Sequence, residues 1–204
     1  MVLEGGRMKL RFIIPAILGV VVFGFAPTTS AHELKKISRA RNQSMEEARV
    51  VARDVAQALN RQYEDMGGPA GTVYSAYRVK KFAPKQKKDE TTKQLYLRVL
   101  KSALHKDYPI TGDDGGYDFQ IIPASEEVDS HLPEFLADYP EPDDDIGRQI
   151  ADFIDELNNA LENGLLVLIG SGSGNNTAAE IIAVCDPKNK EFFYIMDSNF
   201  GGDS

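Results

Sequence analysis

Apolar residues fall into a few periodic blocks along this chain, separated by glycine, proline and acidic runs. Between Leu34 and Glu64, Met45, Ala48, Val51, Val55 and Leu59 recur every three or four residues, the spacing that lays one apolar stripe along a helix. Ser44 with Glu47 has the form of a capping box, and Gly67-Gly68-Pro69 followed by Gly71 stops the helix. Residues 73 to 79 are short and rich in valine and tyrosine, which predicts a strand, with a helical turn as the alternative. A second helix is predicted from Thr91 or Thr92 to Leu104, with Leu95, Val99 and Leu100 turned inward. Tyr117 to Ile122 reads as a strand, and Pro133, Pro140 and Pro142 break up the remainder of this region.

Towards the C-terminus the pattern sharpens. Ile146, Ile150, Phe153, Leu157 and Leu161 form a helical stripe of about four turns, ended by Asn163-Gly164. Leu165 to Ile169 predicts a buried strand, GSGSGNNT a flexible inter-strand loop, Ala179 to Cys185 a second strand, 186 to 190 a turn, and Phe192 to Met196 a third strand. Together these elements predict an α+β domain, a helical layer packed on a small antiparallel sheet.

The N-terminus is set apart from this pattern. Arg7, Lys9 and Arg11 precede the uncharged run Phe12 to Ala26, fifteen residues that fall short of a comfortable bilayer span of about twenty. Thr29-Ser30-Ala31 then supplies small residues where a processing peptidase needs them. Residues 1–31 therefore read as a bacterial-type signal peptide, complete from either Met1 or Met8, and 32–204 as a single exported domain, periplasmic or secreted. The competing reading is an uncleaved anchor, which would make this segment the chain's only membrane contact.

Composition narrows the functional classes. The formal net charge is −8, and removing residues 1–31 takes away three basic residues and one acidic one, leaving about −10. Such a chain does not suit nonspecific nucleic-acid binding, which depends on neutralising phosphates. One basic patch, Arg78, Lys80, Lys81, Lys85, Lys87 and Lys88 around Pro84, reads as a solvated loop or as a contact for an acidic partner or anionic lipid. Residues 107 to 147 are dense in carboxylates and hold no lysine or arginine, but lack the D-x-D-x-D-G order of a calcium loop. One cysteine, Cys185, precludes an internal disulfide, and His32, His105 and His131 have no zinc-ligand spacing. No metal or cofactor is expected.

Candidate chemistry is sparse. GSGSGNN has the glycines of a phosphate loop but not the GK[ST] ending or the following helix. Cys185 ends a predicted strand with no base nearby and reads as apolar filler. Asp197 follows the apolar arm FFYIM and precedes Ser198-Asn199-Phe200-Gly201, a place for an Asx turn or for an aspartate that orients a catalytic ring.

The stretch from Gly164 to Gly201 resembles the C-terminal half of the YopT/AvrPphB-type papain-like cysteine proteases. In that family a histidine opens an apolar strand, and an aromatic strand then ends in Phe-Asp-Pro-Asn-Phe-Gly or a close variant. Met196-Asp197-Ser198-Asn199-Phe200-Gly201 is similar to the last motif, so the resemblance puts Asp197 on the catalytic aspartate position. Glu180, in Glu180-Ile181-Ile182-Ala183, occupies the histidine position, and the catalytic cysteine is missing. The nearest counterpart of the cysteine-bearing helix start is Gly71-Thr72-Val73-Tyr74-Ser75. A glutamate cannot both take a thiol proton and be oriented as an imidazole is, so the resemblance implies a degenerate papain-like domain without a working triad.

Three functional readings are open. The first is an exported, inactive papain-like domain that binds another protein through its former cleft, with Glu180 and Asp197 facing each other across adjacent strands. The second is an unrelated exported α+β binding or inhibitory module using its acidic segment, including Asp143, Asp144 and Asp145. The third is a hydrolase using Glu180 and Asp197 as paired carboxylates.

Overall fold

The computed structural model describes residues 30–67, 74–79, 85–107, 116–137, 145–174 and 177–197. The elements are α1 (Ala31–Asp65), β1 (Tyr74–Val79), α2 (Thr92–Asp107), β2 (Gly116–Ile121), a 3-10 turn (Val128–His131), α3 (Glu134–Ala137), α4 (Asp145–Glu162), β3 (Leu166–Gly174), β4 (Thr177–Asp186) and β5 (Glu191–Asp197). The five strands form one antiparallel sheet in the order β1-β5-β4-β3-β2. The fold is α+β, as the sequence pattern predicts.

Two apolar layers flank the sheet because successive strand residues point to opposite faces. On one face Val167, Ile169, Ile182, Val184, Phe193 and Ile195 meet the stripes of α1 (Ala48, Ala52, Val55, Leu59) and α4 (Ile150, Phe153, Leu157, Leu161). On the other, Leu168, Ile181, Ala183, Cys185, Phe192 and Tyr194 pack with Tyr96, Leu100 and Leu104 of α2. Cys185 is fully buried there, and burial pushes its thiol pKa up. The filler reading of this residue fits its position.

The structure corrects two expectations, one at a helix start and one in the sheet. The Ser44–Glu47 pair is not a cap: α1 starts at Ala31, where Ser30 Oγ accepts from the Glu33 N–H at 3.2 Å and Glu33 Oε2 accepts from the Ser30 N–H at 3.0 Å. Ser44 is instead buried in mid-helix, and its hydroxyl has no hydrogen-bond partner among the described residues. The α1 stripe runs past Ser44 in both directions, so the helix had no reason to begin there. The expected boundary between residues 31 and 32 lies inside the first turn of α1. Thr91 and Gln94 make the corresponding reciprocal cap on α2.

The second correction concerns GSGSGNNT. Gly170 to Gly174 continue β3, and only residues 175 and 176 fall outside the described residues before β4 resumes. Gly170 is paired with Phe119 and Gly172 with Tyr117, whose rings stack with centroids 6.3 Å apart. A Cβ on Gly170 would stand 1.9 Å from the Asp118 carbonyl oxygen and 2.8 Å from Phe119 Cα. Glycine is required there by close strand approach beneath an aromatic ring, not by looseness. The intervening serines, Ser171 and Ser173, are exposed on the opposite face.

The β4–β5 turn is fastened by Asp186, which is buried. Its Oδ1 accepts from the Lys188 N–H at 2.8 Å and the Asn189 N–H at 3.2 Å, and its Oδ2 accepts from Asn189 Nδ2 at 2.7 Å. This Asx turn lets Lys190 adopt a positive φ of 52° and return the chain into β5.

Candidate functional site

The register of the sheet assembles a polar row across one of its ends. Tyr74 of β1 pairs with Asp197 of β5, Asp197 with Glu180 of β4, Glu180 with Ser171 of β3, and Ser171 with Asp118 of β2. Residues directly opposite one another in antiparallel strands project to the same face, here the face that carries α1 and α4. The helices cover the apolar part of that face and leave this end to shorter segments.

Glu180 and Asp197 therefore face each other on adjacent strands. The segment offered as the cysteine-bearing helix start behaves differently. Its described residues, Tyr74 and Ser75, open strand β1 and begin no helix, while Gly71, Thr72 and Val73 lie outside the described residues. Ser198 to Gly201, where the Asx turn after Asp197 was expected, also lie outside them. Cys185 cannot serve as a nucleophile here, because it is buried against α2 on the reverse face.

Helix α3 closes one side of the row. The Phe135 N–H donates to Glu180 Oε2 at 3.2 Å, and the Phe135 ring lies 5.9 Å from that of Tyr74. Asp197 is buried, with 6 % of its surface exposed, whereas Glu180 is half-buried. Burial raises the Glu180 carboxyl pKa; N–H groups of Phe135 and Glu134 oppose the shift, and the charges of Glu134 and Asp197 reinforce it. Two carboxylates opposite one another on a partly dehydrated surface resist double ionisation, and a cation would relieve that cost.

Beside Glu180 opens a cleft of about 300 Å³ lined by Asp118, Phe119, Gln120, Pro133, Gly170 and Ser171, together with Ile169 and Glu180 itself. Its charged lining residues are both acidic. His131 stands behind Gln120, with Nδ1 3.4 Å from the Gln120 amide nitrogen and Nε2 2.7 Å from Glu126. His105 is exposed at the end of α2 and His32 in the first turn of α1, so none of the three described histidines lines the cleft. A second groove, of about 330 Å³, lies between α1 and β1, where the Asn60 side chain bonds both Tyr74 N–H and Tyr74 C=O. That contact occupies part of the sheet edge, and the groove's lining holds no carboxylate.

Among the described residues no group of three or more potential ligands could hold a metal ion. Asp145 is exposed and pairs with Arg148 in the first turn of α4, while Asp143 and Asp144 lie outside the described residues. Of the basic patch, Lys85, Lys87 and Lys88 are exposed. No helix among the described residues is long and apolar enough to cross a membrane.

Asp118 and Ser171 were not singled out by sequence reasoning. The usable signal was the period of two in GYDFQI and in GSGSG, which puts Asp118 and Ser171 on one face and the aromatics and glycines on the other. No family model, curated protein or solved structure matches this chain.

Proposed function

We propose that this chain is an exported, catalytically inactive binding domain that receives a basic segment of a protein partner in the cleft beside Glu180. The observation that carries the reading is the row Asp118, Ser171, Glu180 and Asp197, a carboxylate-rich strip with a cleft at its open end. A lysine or arginine side chain entering there would find acceptors on Asp118 and Glu180 and would lower the cost of ionising Glu180 opposite Asp197. Inactivity rests on the chemistry of the same site: the lone cysteine is on the wrong face, and the histidine position is a glutamate. The facing of Glu180 and Asp197 supports degenerate papain-like descent; the strand at Tyr74 and Ser75 does not.

The paired-carboxylate hydrolase remains the second reading because the two side chains do oppose one another. Retaining glycosidases need both carboxyl groups open to a sugar, about 5 Å apart. Burial of Asp197 and the α3 N–H on Glu180 favour binding over that chemistry.

Titration with a short lysine- and arginine-rich peptide tests the proposal. Binding should weaken with salt and fall at least tenfold in Asp118→Asn/Glu180→Gln, since hydrogen bonds to charged groups contribute about 1.5–3 kcal/mol each. Equal affinity of the wild type and this variant would reject the cleft; loss of binding only on reversing the charges of Asp143, Asp144 and Asp145 would move the function to the acidic segment.

A further inference from the structure

The first turns of α1 extend beyond the packed body. Residues 32 to 39 are all exposed, and burial of α1 sets in at Ala40 and Arg41, whose Nε donates to the Asn163 carbonyl at the end of α4 at 3.3 Å. At 1.5 Å per residue this overhang is about 15 Å long. Leu34 and Ile37, 50 % and 44 % exposed, continue the stripe that packs as Met45, Ala48 and Ala52 further along the helix. With Met66 they are the exposed large hydrophobic residues of the described chain. Lys35, Lys36 and Arg39 occupy the remaining sides, so three cations and one carboxylate, Glu33, stand together in a chain of net charge −8. The overhang begins at Ser30, with three residues between it and the apolar run Phe12 to Ala26.

We propose that this overhang is a membrane foot, in which Leu34 and Ile37 enter the headgroup boundary of an anionic phospholipid bilayer while Lys35, Lys36 and Arg39 meet its phosphates. Local charge opposite to that of the whole chain selects a negatively charged surface, and a basic helix with an apolar stripe is the form that such surfaces bind. On the uncleaved-anchor reading of residues 1–31, the preceding apolar run also brings Ser30 to within a few residues of a bilayer. The acidic body would meanwhile be held off the surface by like charge, leaving the cleft accessible. This inference is independent of what the cleft binds.

The chain contains no tryptophan, so Ile37→Trp gives a single reporter in the full chain reconstituted into vesicles of mixed phosphatidylcholine and phosphatidylglycerol. The expected result is blue-shifted emission quenched by brominated lipid, with Met66→Trp, 80 % exposed at the far end of α1, unquenched. Replacing Lys35, Lys36 and Arg39 by glutamine should weaken insertion of the foot on the order of a hundredfold, at roughly fivefold per cation near an anionic surface. The proposal is overturned if the Ile37→Trp emission stays that of a solvent-exposed indole, or is the same on purely zwitterionic vesicles. A shift that tracks the protein-to-lipid ratio and ignores lipid charge would also overturn it, assigning Leu34 and Ile37 to contact between two copies.

Discussion

Gly170→Ala places one methyl group where β3 passes beneath Phe119. The added Cβ would lie 1.9 Å from the Asp118 carbonyl oxygen and 2.8 Å from Phe119 Cα, both backbone atoms that cannot rotate away. To restore contact, β2 must withdraw by roughly 1 Å, and a close-packed sheet passes such a shift along the ladder. Overpacking of this kind costs about 1–3 kcal/mol, and each ladder hydrogen bond weakened adds about 1 kcal/mol. A loss of about 2–3 kcal/mol is therefore expected, read as a lower urea midpoint with an unchanged slope. Gly116→Ala on β2 is the internal control, since nothing lies within 4 Å of its Cβ position; it should stay within about 0.5 kcal/mol of wild type. If Gly170→Ala were as stable as Gly116→Ala, the strand assignment for GSGSG and the position of Ser171 in the polar row would both be wrong.

Ser44→Ala distinguishes the two helix starts by sign: a lost cap would cost about 1 kcal/mol, whereas removing a buried hydroxyl without a partner should leave stability unchanged or raised, as thermal unfolding would show. Glu180 has a raised folded-state pKa, so its favourable contribution is complete below the unfolded glutamate value of about 4.3 and is lost as pH rises through the folded value. Glu180→Gln should accordingly gain stability relative to wild type as pH rises across that window, and a constant difference between the two would refute the assignment. Cys185 should resist a thiol reagent in the folded protein and react only at the rate of unfolding; rapid native-state labelling would contradict its burial.

Much of the fold was legible because its helices and inner strands obey strong periods. The α4 stripe from Ile146 to Leu161 and the apolar arms of β4 and β5 gave element type and nearly their limits. The failures came where composition and period disagree. Gly and Ser are the residues of linkers, and their alternation in β3 acquires meaning only when Tyr117 and Phe119 are known to lie across it. Ser44 and Glu47 satisfy a capping formula inside an uninterrupted helix, while the working cap, Ser30 with Glu33, sits at the edge of a segment read as a cleavage site. Asp197 and Glu180 were named from a resemblance, and their pairing depends on a register fixed by the short Asp186 turn. Asp118 joins them only through β2, whose place at the sheet edge no local pattern announces.

Carboxyl-carbon NMR of Glu180 and Asp197, monitored through a pH titration with and without the basic peptide, addresses the cleft most directly. In the free protein the Glu180 carboxyl should titrate above its ordinary value, and the bound peptide should bring it down as a cation settles beside it. A Glu180 titration that the peptide leaves unmoved would contradict the proposal that this row of carboxylates is where the partner binds.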